Sequence, residues 1–130
     1  MDPAGQRDRA LLLLAAQGLG RAALVGLDVE HIRFIAAGAE LVVDRAGATA
    51  AAEPAGTPLV VARGARLAVC PVQALRDWLD GSGTRFGPVF RKIDRWGTVE
   101  DHRLGTDAIR RILARRAPRR SRKARKPAAA

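Results

Sequence analysis

The 130-residue sequence contains no tyrosine, only three phenylalanines and two tryptophans, so aromatic side chains make up 4% of it. Packing must therefore rest on Ala, Leu and Val. A single cysteine excludes an intrachain disulfide framework, and with only two histidines a Cys/His zinc site is excluded as well. The longest apolar run, residues 10–16, falls far short of the ~20 residues a membrane span needs. No basic-then-apolar leader stands at Met1-Asp2-Pro3-Ala4-Gly5, so a soluble, cytoplasmic chain without membrane contact is expected. Serine is almost absent too. Ser82 lies in a Gly-rich turn and Ser121 in an Arg-rich stretch, and neither has the strand-turn-helix context of a nucleophile elbow. No cofactor is expected.

What is present is an apolar fraction of 48%, enough for one domain that folds without staples. The net charge is +10, and it is unevenly placed. Residues 1–90 carry nine arginines and nine carboxylates, whereas residues 91–130 carry fourteen Lys/Arg against four acids. Within 110–126 stand Arg110, Arg111, Arg115, Arg116, Arg119, Arg120, Arg122, Lys123, Arg125 and Lys126, with no acid between them. Blocks of like charge are solvated and often serve as interaction arms. Dense Lys/Arg gains affinity for nucleic acid by releasing condensed counterions, so DNA is the expected partner.

Periodicity changes along the chain. Residues 7–18 are rich in helix formers and stop at a glycine. A second, short helix is expected at 22–27, then strands near 31–35, 39–44 and 58–62, with an Ala/Gly loop at 47–56. Cys70-Pro71 opens a helix over 71–80, because proline fits the first helical position, and Gly81-Ser82-Gly83 closes it. Residues 86–90 read as a turn and a short extended segment, and a last helix is expected over 106–116. The fold class expected is α+β: a small antiparallel three-stranded sheet packed with helices, plus a disordered basic C-terminal tail.

Individual residues carry weaker signals. His31 and His102 read as surface or edge histidines, and Cys70 as a small buried hydrophobe, although a helix start can lower a thiol pKa. Trp78 has Leu75 and Leu79 beside it on a helix and belongs to the core or its edge. Trp96, between Arg95 and Gly97, is expected in a turn where it caps a sheet edge or stacks on a base. Gly18-Leu19-Gly20-Arg21-Ala22-Ala23 fits a loose dinucleotide fingerprint, with Glu40 to Asp44 offering an acid. A dinucleotide-binding fragment is thus one alternative, although 28–34 alternates like a strand where a helix is required.

Several spaced segments resemble the catalytic domain of tyrosine recombinases, the phage integrase family. They are Arg7 to Leu14, Leu24 to Glu30, Cys70-Pro71-Val72-Gln73-Ala74-Leu75 through Leu79, Gly87 to Arg91, and Gly105 to Ile109. The resemblance covers about 7–117 and implies a partial integrase-like domain whose first and last helices lack the usual cover on their apolar faces, because half of the parent domain is missing. A disordered lead-in over 1–6 is expected before it and a basic disordered tail over 118–130 after it. It also implies that the family's phosphate-binding Arg position is held here by Gly20, and its Ser-Glu pair by Ala22 and Ala23, with Arg21 on the variable position. The family's hairpin Lys is missing, since no Lys precedes Lys92, and the Tyr nucleophile has no counterpart. On this resemblance the expected function is that of a truncated, catalytically inactive DNA-binding remnant of a recombinase. DNA contacts would come from Arg21, Arg110, Arg111, Arg115 and Arg116, and from the six basic residues between Arg119 and Lys126. A full-length recombinase or the missing half-domain is a further expected partner. The alternative is a small basic protein that binds nucleic acid without sequence preference or regulates it.

Overall fold

The computed structural model describes residues 2–42 and 58–116. Its elements are α1 (Pro3–Ala16), α2 (Arg21–Gly26), β1 (Ile32–Ile35), β2 (Gly38–Val42), β3 (Pro58–Ala62), α3 (Pro71–Ser82), β4 (Arg91–Ile93), β5 (Val99–Arg103) and α4 (Thr106–Arg116). Single 3-10 turns lie at Val29–His31 and Leu67–Val69. The strands form an antiparallel sheet β1-β2-β3 and a separate antiparallel hairpin β4–β5. The architecture is α+β, as the change of periodicity predicts.

Helix α1 starts at Pro3, earlier than the expected position 7, because Asp2 caps it by accepting from the Gly5 amide at 3.0 Å. Residues 3–6, expected as lead-in, are its first turn. Helix α3 has both its signals in place. Proline opens it at Pro71, the Cys70 sulfur accepts from the Gln73 amide at 3.4 Å, and Gly83 ends it in the left-handed region at φ +69°. Its inner face buries Val72, Leu75 and Trp78 against α1 and β3. Trp78 is fully buried, and its indole N–H donates to the Val89 carbonyl at 2.7 Å, which removes the cost of desolvating that donor.

In the sheet, the rows Ile32–Leu41–Leu59 and Phe34–Ala39–Val61 turn toward the helices. The alternate row, Arg33–Glu40–Val60, lies on the open face, where Arg33 and Glu40 pair at 3.0 Å. Residues 43 and 44, expected at the end of the second strand, and the expected loop at 47–56 lie outside the described residues. His31 belongs to the 3-10 turn rather than to β1. The β4–β5 hairpin and the placement of His102 on β5 were not legible, because Ile93 and Val99 are the hairpin strands' only apolar residues and a period of two has too little to act on.

Two expectations are corrected. The inner faces of α1 and α4 are covered: Leu11, Leu14, Ile109 and Ile112 are buried where α4 packs on α1 and α2. The exposed large apolar side chains are Val42, Val60, Leu67, Val69, Phe86 and Trp96 instead. The dinucleotide reading also fails. The Gly18–Ala23 segment connects α1 to the six-residue α2, and no parallel strand pair exists among the described residues, whereas a dinucleotide unit joins parallel strands through a full helix. No helix among the described residues is long and apolar enough to cross a membrane.

Gly38 is the tightest backbone approach in the sheet, since a Cβ there would collide with the carbonyl of Val61 on the neighbouring strand. Neither atom belongs to a flexible side chain that could move aside. Gly38→Ala is therefore expected to push β3 off β2 and to cost about 2 kcal/mol or more. Urea unfolding of the two proteins measures this; an unchanged midpoint would show that β3 yields freely.

Candidate nucleic-acid interface

Helix α4 begins with Thr106-Asp107 and carries Arg110 and Arg111 one turn on, the spacing at which side chains meet on a helix surface. One Asp107 carboxylate oxygen accepts from Arg110 at 3.0 Å and the other from Arg111 at 3.4 Å. Arg21, the exposed first residue of α2, comes from a different element, and α2 packs against α4. Hydrogen bonding and charge from Arg110, then the charges of Arg111 and Arg21, hold the Asp107 carboxyl below its ordinary value, against a smaller opposing effect of desolvation. Arg110 and Arg111 thus share one exposed carboxylate, and the helix that carries the exposed Arg21 packs alongside. Guanidinium groups on these neighbouring helices can grip phosphate oxygens, with the carboxylate as the resident counterion of Arg110 and Arg111.

The other end of α4 is tied down. Asp8, on α1, is only 2% exposed. Its carboxylate accepts from Arg7 at 3.0 Å and from Arg116 at 3.0 Å, and Arg115 stands 3.7 Å away. Arg7 also donates to the Arg91 carbonyl at 3.3 Å. Arg115 and Arg116, expected as DNA contacts, therefore have a carboxylate partner more than a hundred residues back in sequence. The basic run has no acid within it, yet in space Asp107 and Asp8 neutralise part of it. The expected contacts Arg119, Arg120, Arg122, Lys123, Arg125 and Lys126 lie outside the described residues.

Elsewhere the arginines serve the fold. Arg91 donates to the Glu100 carbonyl, to Thr84 and to Asp101, which joins α3's end to the hairpin. Arg103 reaches the Val25 carbonyl and Asp28 and ties the hairpin to the end of α2. Cys70 caps α3 and is buried. Burial alone would raise its thiol pKa, but the amides of Gln73, Gly64 and Val72 and the charge of Arg63 outweigh it and hold it below the ordinary value. His31 and His102 are exposed. No cluster of His, Cys, Asp or Glu among the described residues could hold a metal ion. The i, i+3, i+4 spacing of Asp107, Arg110 and Arg111 was available in the sequence. Nothing local signalled Asp8.

An integrase/recombinase xerD homolog of Selenomonas ruminantium is similar to this chain, with 27% identity over 110 residues, covering 84% of the chain and 32% of that protein. The chain thus spans about a third of the length of that curated relative. No protein-family model matches the sequence, and no solved structure matches it.

Two outcomes follow from these carboxylates. Asp8→Ala leaves the buried Arg7 guanidinium without its counterion, so it is expected to cost about 3–5 kcal/mol. Hydrogen exchange should then quicken in the last turn of α4, and protection equal to that of the parent protein would refute the tie. For Asp107, a lowered folded pKa means that its contribution is complete above the unfolded value of about 3.9 and is lost as pH falls through the folded one. A carbon-detected NMR titration should place its midpoint below that of an ordinary aspartate, and Arg110→Ala should move it back up.

Proposed function

We propose that this chain is a recombinase-related DNA-binding protein that holds duplex DNA through its phosphates and does not cut it. The observation that carries this reading is the exposed pair Arg110 and Arg111 on α4, packed beside the helix that carries the exposed Arg21, on a chain whose excess positive charge all lies beyond residue 90. The similarity to an integrase/recombinase supports DNA as the partner. Contacts to phosphate fix a protein on the duplex but carry no base information, so little sequence preference is expected. A full-length recombinase remains the protein partner that the resemblance implies.

Absence of cutting rests on chemistry. Recombinases of the resembled family attack phosphorus with a tyrosine hydroxyl, forming a phosphotyrosyl bond while the 5′ oxygen of the next nucleotide leaves. Charge that builds on the phosphate oxygens is met by arginines. These 130 residues contain no tyrosine, and Gly20 stands where the resemblance expects the phosphate-binding arginine. Arg21, one residue on, is exposed on α2.

If about six cationic side chains reach phosphates, log affinity should fall with log salt at a slope of about −5. Removing residues 118–130 should lower affinity and flatten that slope, and Arg110→Ala with Arg111→Ala should remove about two more from it. A slope unchanged by both alterations would place DNA elsewhere on the molecule. Incubation with a nicked suicide substrate should trap no covalent protein–DNA adduct; a reproducible adduct would overturn the inactive reading.

A further inference from the structure

We propose that Trp96, at the tip of the β4–β5 hairpin, is a stacking platform for an unpaired nucleobase, with Arg95 beside it. The chain has two tryptophans and uses them in opposite ways. Trp78 is fully buried, whereas Trp96 is 76% exposed and so caps no sheet edge. A single exposed apolar residue is ordinary on a protein surface. What sets Trp96 apart is the ordered backbone beneath it and the cation against its ring.

Asp94 builds that backbone. One of its carboxylate oxygens accepts from the amides of both Trp96 and Thr98, each at 2.9 Å. The Asp94 amide donates to the Thr98 carbonyl, and the Gly97 amide to the Asp94 carbonyl, each at 3.0 Å. Gly97 takes φ +88°, a conformation that glycine adopts without strain. Four hydrogen bonds therefore fix the backbone of the five-residue turn 94–98, from which the indole projects. The Arg95 guanidinium lies 4.6 Å from the ring centroid and forms no ion pair among the described residues. The exposed Lys92 on β4 adds positive charge to the same hairpin.

A flat π surface with a guanidinium against its ring matches a ligand with flat faces and an anionic backbone. Single-stranded nucleic acid offers both, whereas a duplex hides its base faces within the stack. This inference rests on the nucleic-acid reading above but differs from it in the ligand group used, since phosphate contacts are indifferent to bases.

The test compares three fluorescent probes against the full chain by anisotropy: a short oligothymidine, an abasic strand of equal length and charge, and a duplex. The oligothymidine should bind about ten-fold more tightly than the abasic strand. Trp96→Ala should abolish that preference while leaving duplex affinity and salt slope unchanged, and Trp96→Phe should keep most of it. Asp94→Ala, which frees the turn, should weaken the preference without touching the ring. Equal binding of the two single strands, or a preference that survives Trp96→Ala, overturns the stacking platform alone and leaves the duplex reading standing. That result would leave a protein partner as the alternative occupant of the tip. Failure of all three probes to bind overturns both readings.

Discussion

The carboxylate of Asp8 is the contact on which the placement of α4 depends. It is buried on α1 and satisfied from two directions, by Arg7 of its own helix and by Arg116 at the far end of the chain's last described helix. A buried ion pair is weak evidence for stability, because apolar side chains of similar volume often serve as well. Its geometry is nevertheless demanding, since the charged groups must meet at hydrogen-bond distance or remain unpaired out of water. With the C-terminal turn of α4 held on α1, Ile109 and Ile112 cover the apolar faces that α1 and α2 would otherwise expose. The same packing brings α4 beside α2, the helix that carries Arg21.

Within the described residues, positive charge is largely spent on internal contacts. Arg9, Arg33, Arg91 and Arg103 each meet a carboxylate, and Arg63 donates to carbonyls of the β1–β2 turn. The Asp107 pairs differ because all three partners are well exposed. Exposed pairs of this kind contribute little to stability, so a phosphate can displace the carboxylate at little cost. The same side chains can thus support the helix in the free protein and grip a polyanion in a complex.

Much of this organisation was open to sequence reading. The start and stop signals of α3, Cys70-Pro71 and Gly83, act within one helical turn, and the alternation leading into β1 and the apolar run of β3 act within a strand. The β4–β5 hairpin was hidden because its strands are mostly charged, and their pairing is set by the turn at Asp94 and by Arg91 bridging to Asp101. Of the candidate site, the basic run and the Asp107 spacing were legible. Arg21's approach to α4 was not, because it depends on how two helices pack.

The sequence by itself determined composition-bound facts: no phenol to act as nucleophile, a charge excess confined to the last forty residues, and helices and strands whose periods are set by neighbours three, four or two residues apart. Only the tertiary structure decided which carboxylates neutralise which arginines, and which tryptophan enters the core. Those outcomes depend on the path of the chain through space: Asp8 meets Arg116 only because α1 and α4 pack together. Trp78 is buried because α1 and the Val89 segment close over it, while no element passes over the turn that carries Trp96.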